Sequence, residues 1–168
     1  GAKVPFYRSK ENSDDFATTT EVLFEVLNKY KSNGINFDLA CCIYPTAPFV
    51  TSKILKNTIK IFLSKDADSL ISVVKISYPT QRAFKLNGGY LKMIYPENVK
   101  KRSQDLESTY HDAGQFYWFK VNEFIKNKII ITNKTAYIEI SELQSQDIDN
   151  EEDWKIAELK YKILKNML

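Results

Sequence analysis

The sequence predicts an α/β fold, with a largely parallel or mixed sheet and helices on its faces. Runs of β-branched and apolar residues alternate along the chain with segments of helical periodicity, which is the pattern that this fold class produces. The chain of 168 residues is about the size of one domain, and 43% of its residues are hydrophobic, enough for a packed core. We therefore expect a single globular domain over residues 1–168.

Local signals place the individual elements. Thr18 and Glu21 have capping-box spacing, so the first helix should begin near Thr18. Asn87 opens an Asn-Gly-Gly turn between two apolar runs, which is a strong hairpin signal. Asn150 precedes an amphipathic segment and should cap the last helix. In chain order, the other predicted elements are a strand over 38–44, a helix over 51–64, a strand over 69–76, a strand over 115–121, a helical turn over 122–127 and a strand over 134–140.

Residues 78–107 interrupt the alternation of helices and strands. This stretch is mixed polar and aromatic and contains the hairpin signal at Asn87. We expect it to form a β-arm that protrudes from the main sheet.

Composition excludes several classes of protein. The net charge is +3, and the only tight basic cluster is Lys100, Lys101 and Arg102, which is too little for a nucleic-acid binder but compatible with small anionic ligands. No apolar run approaches the roughly 18 residues of a membrane helix, and the first residues lack the pattern of a signal peptide. The expected location is the cytoplasm. Cys41 and Cys42 are adjacent in a predicted strand, so they should be buried free thiols on opposite faces rather than a disulfide or a zinc site.

The most informative polar segment is Asp147, Ile148 and Asp149, between a predicted strand and a predicted helix. If the segment is extended, both carboxylates lie on one side, a geometry that suits Mg²⁺ bound together with substrate phosphates. The alternative is an acidic helix start that favours the positive end of the helix dipole, and such starts are common. The residues alone leave both interpretations open.

Four segments together resemble the acylneuraminate cytidylyltransferase family, the CMP-sialic acid synthetases and their relatives. They are DLACCIYPTAPFV (38–50), KRSQDLE (101–107), YHDAGQFYW (110–118) and SQDIDNEEDW (145–154). The resemblance implies a Rossmann-like, three-layer α/β/α nucleotidyltransferase fold. It also implies an enzyme that transfers CMP from CTP to an acidic sugar with release of pyrophosphate, for bacterial surface glycans. Members of the family pair through a β-arm, so a homodimer is expected, with the arm at 78–107.

The resemblance also implies roles for individual residues. Asp147 and Asp149 would hold Mg²⁺, with Asp149 counted as catalytic. Arg102 would bind the sugar carboxylate and take part in catalysis, since its planar fork suits a carboxylate, whereas the residues alone favour a solvated member of the Lys100-Lys101-Arg102 run. The other matched positions are Gln104 and Tyr117 on the sugar side and Thr18 and Thr19 near the nucleotide, although helix capping explains Thr18 equally well.

Departures from the broader family narrow the expected sugar. Tyr44 stands where many members have glutamine, Ala47 stands where they have serine, and the chain has an unusual His111-Asp112-Ala113. These features resemble the branch that activates pseudaminic acid, and they place Tyr44 and His111 in the expected sugar site. His111 has two other interpretations, a structural hydrogen-bonding role and a catalytic base.

The family's glycine- and lysine-containing nucleotide loop precedes the segment that GAKVPFY matches. We therefore expect the 168-residue chain alone to lack the main cradle for the CTP phosphates and to be inactive. Two alternatives stay open. The chain could belong to a cytidylyltransferase that acts on sialic acid, legionaminic acid or Kdo. It could also be a non-catalytic module for sugar binding or oligomerisation.

Overall fold

The computed structural model describes residues 1–167 and confirms the α/β class. Within those residues, helices and strands alternate broadly as the sequence predicts. In chain order the elements are α1 (Thr19–Ser32), β1 (Leu39–Ile43), α2 (Ser52–Leu63), β2 (Ser69–Lys75), β3 (Phe84–Asn87), β4 (Tyr90–Met93), β5 (Tyr110–Lys120), α3 (Val121–Asn127), β6 (Thr135–Ile140) and α4 (Glu151–Asn166).

The main sheet is mixed and has the strand order β1-β5-β2-β6. β1 is antiparallel to β5, with Leu39 opposite Lys120. Just before β2, the Asp68 N–H donates to the carbonyl of Lys134 (3.0 Å), while the Asp68 carbonyl accepts from the N–H of Lys120 (2.9 Å). β2 and β6 therefore begin side by side and are parallel. β5 ends beside the start of β2, so it is antiparallel to both of its neighbours, β1 and β2. The carboxyl ends of β2 and β6 consequently lie at the same edge of the sheet.

By its internal contacts the chain forms two compact units, and β2, β5 and β6 contribute residues to both. The expectation of a single domain stays a prediction. Unit 1 comprises Gly1–Pro45, Val50–Ile71 and Phe116–Tyr137, and unit 2 comprises Thr46–Phe49, Ser72–Gln115 and residues 138–167.

The core of unit 1 lies where α1 and α3 meet the sheet. Leu27, Phe119, Val121 and Phe124 are buried together, and the rings of Phe119 and Phe124 are 4.9 Å apart. α2 is fixed to β5 by a hydrogen bond in which the Trp118 indole N–H donates to Thr58 Oγ1 at 3.0 Å. Thr58 is fully buried, and its hydroxyl also donates to the carbonyl of Leu55 at 3.2 Å, so the buried hydroxyl both donates and accepts a hydrogen bond.

The capping predictions are confirmed at both helices. Thr18 caps α1 in a capping box with Glu21, and Asn150 caps α4 in a capping box with Asp153. The sequence predicts that the apolar residues of α4 form its inner side, but they are only partly buried, because Ala157 is buried while Trp154 is 56% exposed. The half-buried and buried positions instead follow another line at helical spacing, namely Asp153, Ala157, Lys160 and Leu164.

β5 begins at Tyr110, five residues earlier than the predicted strand, and ends at Lys120 rather than at 121. The early part contains polar residues and Gly114, which has a φ of +61°. Such a conformation favours glycine, so the sequence signal there is that of a turn although the chain is in a strand. No helix among residues 1–167 is both long and apolar enough to cross a membrane.

Candidate functional site

A pair of hydroxyl groups joins α1 to the end of β1 in unit 1. Thr19, the first residue of α1, and Tyr44, the residue after β1, have their side-chain oxygens 2.7 Å apart, and either can donate. The ring of Tyr44 lies against that of Tyr117 on β5, with centroids 5.2 Å apart and planes inclined by 51°. We call Thr19 Oγ1 and the Tyr44 hydroxyl the hydroxyl pair. Three residues predicted from the family resemblance are therefore in one chain of contacts.

Thr18 is committed to its helix. Its hydroxyl donates to a carboxylate oxygen of Glu21 (2.7 Å) and accepts from the Glu21 backbone N–H (3.3 Å). The hydrogen bonds from the Thr18 side chain and backbone lower the pKa of Glu21. Because a hydroxyl has one proton to donate, Thr18 has none left for a ligand in this state. The capping interpretation thus accounts for Thr18, and its nucleotide role stays a prediction.

A half-buried carboxylate fixes the segment that leads into α1. Glu25 accepts from the backbone N–H of Ser9 at 2.7 Å and from the Ser9 hydroxyl at 3.0 Å, and the Asn12 amide also donates to it. The Lys29 ammonium and the Asn12 amide hold the pKa of Glu25 at about 2, so this carboxylate is ionised throughout the physiological range. No sequence signal pointed to this cluster, because Ser9 and Glu25 are 16 residues apart.

Cys41 and Cys42 are free thiols, as predicted, but they are half-buried rather than buried. Burial raises the pKa of Cys41 to about 12 and also raises that of Cys42. Both thiols are therefore protonated near neutral pH and are poor nucleophiles or metal ligands.

In unit 2, residues 101–107 form a loop that we call the basic loop. Arg102 holds Asp105 in a bidentate ion pair, with Nε and Nη2 at 2.8 and 2.9 Å from the two carboxylate oxygens. The hydrogen bonds to Asp105 raise the pKa of Arg102, so the guanidinium stays charged. The side chain of Arg102 is 70% exposed, and Gln104 is exposed beside it. The loop thus presents a charged fork that already holds a carboxylate.

Two residues from the preceding segment support the basic loop. The guanidinium of Arg82 donates to the carbonyl of Lys101 at 2.9 Å, and the Gln81 amide donates to the carbonyl of Glu107 at 3.0 Å. Neither residue was identified from the sequence, because both are about 20 or more residues away from the loop. The two bonds fix both ends of the loop that carries Arg102.

His111 is exposed near the start of β5. Its Nδ1 lies 2.6 Å from the carbonyl oxygen of Asp112, so the imidazole interacts with the adjacent backbone. The carboxylate of Asp112 accepts from the N–H of Gly114 at 2.9 Å. This contact agrees with the structural interpretation of His111, and its sugar contact stays a prediction.

Asp147 and Asp149 lie in the loop between β6 and α4, residues 141–150, which we call the acidic loop. Buried Gln115 on β5 donates its amide to the carbonyl of Gln144, and Lys160 on α4 donates to the carbonyl of Ser145 at 2.6 Å. The Ser77 hydroxyl, just after β2, donates to the Glu142 carboxylate at 3.1 Å. The acidic loop is therefore fixed at the edge where β2 and β6 end.

The cap of α4 does not use the two predicted metal ligands. Asn150 and Asp153 form the capping box, and Asp153 also accepts from the backbone N–H of Asp149 at 3.1 Å. The side chains of Asp147 and Asp149 are exposed, and within residues 1–167 their carboxylates accept no hydrogen bond. The alternative of a helix start thus accounts for Asp153 but leaves the carboxylates of Asp147 and Asp149 available.

No group of three or more histidine, cysteine, aspartate or glutamate side chains in the described part of the chain could hold a metal ion. A metal at Asp147 and Asp149 would therefore need ligands from substrate or water. Unit 1 brings together Thr19, Tyr44 and Tyr117, and unit 2 carries Arg102, Gln104, His111, Asp147 and Asp149.

The chain is similar over nearly its whole length to proteins named as cytidylyltransferases, although no family model matches it. It is 34% identical over 164 residues to the pseudaminic acid cytidylyltransferase of Campylobacter jejuni, covering 97% of this chain and 71% of that protein. It is 30% identical over 159 residues to a Helicobacter pylori protein named pseudaminic acid cytidylyltransferase and UDP-2,4-diacetamido-2,4,6-trideoxy-beta-L-altropyranose hydrolase, covering 94% of this chain and 30% of that protein.

A more distant relative acts on another nonulosonic acid. The CMP-N,N'-diacetyllegionaminic acid synthase of Legionella pneumophila is 26% identical over 167 residues, covering 94% of this chain and 68% of that protein. Among solved structures, 4-diphosphocytidyl-2C-methyl-D-erythritol synthase from Anaerococcus prevotii matches with a TM-score of 0.50 and 13% identity, over 88% of this chain and 67% of that one. That structural likeness supports the nucleotidyltransferase fold.

Proposed function

Because the chain belongs to the pseudaminic acid cytidylyltransferase family, we propose that the protein as its gene encodes it transfers CMP from CTP to pseudaminic acid and releases pyrophosphate. The observation that carries this proposal is the 34% identity over 97% of the chain. Relatives named for pseudaminic, legionaminic and acylneuraminic acids align over most of the chain, so this is a CTP-dependent cytidylyltransferase of acidic sugars. The alternative of a non-catalytic module has no comparable support.

The sugar carboxylate is assigned to Arg102. The fork of this arginine already holds a carboxylate bidentately, that of Asp105, and a sugar carboxylate would take the same two donors. Tyr44, which is half-buried, would present its ring and hydroxyl to the sugar, and the buried Tyr117 would support it through the contact between the two rings. Gln104 and His111 are exposed and able to form further hydrogen bonds.

The nucleotide is assigned to the start of α1. Thr19 is the first residue of this helix, where the helix dipole favours an anion. Its hydroxyl can donate to a nucleotide oxygen when Tyr44 is the donor within the hydroxyl pair, whereas the proton of the Thr18 hydroxyl is used in the cap. Thr19 is therefore a stronger candidate than Thr18 for a nucleotide contact.

Asp147 and Asp149 are the proposed Mg²⁺ ligands. Mg²⁺ prefers oxygen ligands and is commonly held by one or two carboxylates plus substrate phosphates, which fits a pair of exposed carboxylates that accept no hydrogen bond. Bound there, the ion would neutralise phosphate charge as the anomeric hydroxyl attacks the α-phosphate. Of the chain's own groups, Arg102 would hold the sugar in line, and the anchored acidic loop would keep both carboxylates in place.

The assignment predicts a defined product and a defined preference. The protein as its gene encodes it should release pyrophosphate from CTP with Mg²⁺ and pseudaminic acid. It should prefer that sugar to sialic acid, legionaminic acid and Kdo by about tenfold or more in kcat/KM, since single pocket contacts discriminate by about 10–200-fold. Pyrophosphate release and mass spectrometry of the CMP-sugar provide the measurement. Equal turnover of legionaminic acid would move the assignment to that branch, and no product with any of the four would favour the non-catalytic module.

We further propose that the protein is a homodimer joined through the β3–β4 hairpin. Paired residues of an antiparallel hairpin lie on the same face, so Phe84 with Met93 and Leu86 with Leu91 form an apolar face. Phe84, Leu86 and Leu91 are 53%, 82% and 69% exposed. The opposite face carries Lys85 and Lys92. A second copy of the chain would bury this exposed apolar face.

Charging the apolar face should dissociate the dimer. The double variant Leu86→Lys, Leu91→Lys is expected to be monomeric in sedimentation velocity, at concentrations where the wild-type protein is a dimer. The control, Lys85→Ala with Lys92→Ala, changes the opposite face and should remain dimeric. A wild-type monomer, or a charged variant that still dimerises, would contradict the role of the hairpin.

A further inference from the structure

We propose that the hydroxyl pair of Thr19 and Tyr44 couples the two substrates, so that a bound nucleotide turns the Tyr44 hydroxyl into an acceptor for a donor group of the sugar. The inference rests on the proposed function, which assigns Thr19 to the nucleotide and Tyr44 to the sugar. The observation behind it is the 2.7 Å contact between the two side-chain oxygens, in which either group can donate. Tyr44 thereby becomes a positioning residue whose state depends on the nucleotide.

Hydrogen-bond counting gives the direction of the coupling. Each hydroxyl has one proton, so in the free protein one member of the pair donates to the other, and both directions are open. The oxygens of a triphosphate only accept hydrogen bonds. If Thr19 gives its proton to such an oxygen, the contact with Tyr44 survives only when Tyr44 donates to Thr19. The Tyr44 oxygen then has lone pairs to offer and no proton.

The sugar that fits this state must donate to Tyr44. A sugar hydroxyl or an amide N–H provides such a donor, whereas an acceptor at that position would face a lone pair. Binding of the nucleotide therefore selects for a donor-bearing sugar, and by linkage the sugar should tighten nucleotide binding by the same factor. Because one neutral hydrogen bond is at stake, the factor should be about three- to tenfold.

The packing around Tyr44 makes the inference testable with conservative variants. Tyr44 is half-buried, and its ring contacts that of Tyr117, which is 5% exposed. Tyr44→Phe preserves this ring contact and removes only the hydroxyl. Thr19→Val removes the other member of the pair at nearly constant volume, and Thr19→Ser restores a hydroxyl. Thr20→Val, at the next helix position, is the matched control.

The experiment measures the Kd of pseudaminic acid by calorimetry, with and without the non-reacting analogue α,β-methylene-CTP, in the gene-encoded protein. The analogue should lower the wild-type Kd by about three- to tenfold. The ratio of the sugar Kd without the analogue to the sugar Kd with it should fall to about one in Tyr44→Phe and in Thr19→Val. The same ratio should stay near the wild-type value in Thr19→Ser and Thr20→Val. Thermal melts would verify that the variants are folded.

Two results would overturn the proposed coupling but not the proposed function. The first is a Kd ratio in Tyr44→Phe as large as that of the wild type. The second is a Kd ratio in Thr19→Ser as close to one as that in Thr19→Val. Either result, in a protein that turns over CTP and pseudaminic acid, leaves the proposed function intact. A wild-type protein that makes no CMP-sugar would instead overturn the proposed function, and the coupling with it. Turnover of the wild type therefore distinguishes the two failures.

Discussion

Replacing Asp149 with asparagine in the gene-encoded protein is expected to lower kcat by about 10²–10³-fold, because charge neutralisation by a bound metal is worth several kcal/mol in the transition state. Asparagine keeps the size of the side chain and one oxygen ligand but removes the negative charge. Asp147→Asn should also raise the Mg²⁺ concentration needed for half-maximal rate. Initial rates of pyrophosphate release over a Mg²⁺ titration would measure both effects.

The acidic start of α4 offers a matched control for this prediction. Glu152→Gln removes the same charge from an exposed residue of the first helical turn. If Asp149 merely favours the helix dipole, the two variants should behave alike and change stability by less than about 1 kcal/mol, with little effect on turnover. A normal rate in Asp149→Asn at saturating CTP and sugar would contradict the metal assignment. Binding of Mn²⁺ with CTP present, monitored by electron paramagnetic resonance, would provide a readout besides activity. The wild type should bind Mn²⁺ more tightly than Asp149→Asn does.

The sequence predicted those parts of the fold that depend on neighbouring residues. The capping boxes at Thr18 and Asn150 require only residues within one helical turn, and the hairpin at Asn87 requires only its own turn. Each of these signals is local, because the groups that form the hydrogen bonds are adjacent in the chain. The start of β5 has no local strand signal for the complementary reason, since its strand conformation is set by a partner strand distant in sequence, and only the resemblance of residues 110–118 to a glycine-containing strand of the family indicated it.

The residues of the candidate site were likewise predictable only where the signal was contiguous in sequence. The segments that carry Arg102 and Asp149 were found through resemblance, because motifs of a family are contiguous in sequence. The contacts that orient them were not found, since the support of the basic loop by Arg82 and of the acidic loop by Gln115 joins residues about 20 to 30 apart. The 25-residue separation of Thr19 and Tyr44 likewise hides their hydroxyl contact from any local pattern. The sequence shows which polar groups are present, but only the fold shows which of them form hydrogen bonds with each other.

Replacing Arg102 with alanine should lower kcat/KM for the sugar by about 10–100-fold and leave the KM for CTP within about twofold of the wild type, because hydrogen bonds to a charged group contribute roughly 1.5–3 kcal/mol. Arg102→Lys should recover only part of the loss, since an ammonium cannot reproduce the two parallel donors of the guanidinium. Steady-state kinetics with each substrate varied at saturating levels of the other would separate the two effects.

A variant of Asp105, the ion-pair partner of Arg102, distinguishes sugar binding by Arg102 from a purely structural role in the basic loop. The ion pair of Asp105 with Arg102 is exposed, and water screens the attraction in such pairs, so a sugar carboxylate can displace Asp105 at little cost. Asp105→Asn should therefore leave the sugar KM within about threefold of the wild type. If Arg102 served only to fix the basic loop through this pair, removing either partner would impair the enzyme equally. A loss in Asp105→Asn as large as that in Arg102→Ala would thus assign Arg102 to loop structure, whereas a loss confined to the arginine variants would support its contact with the sugar.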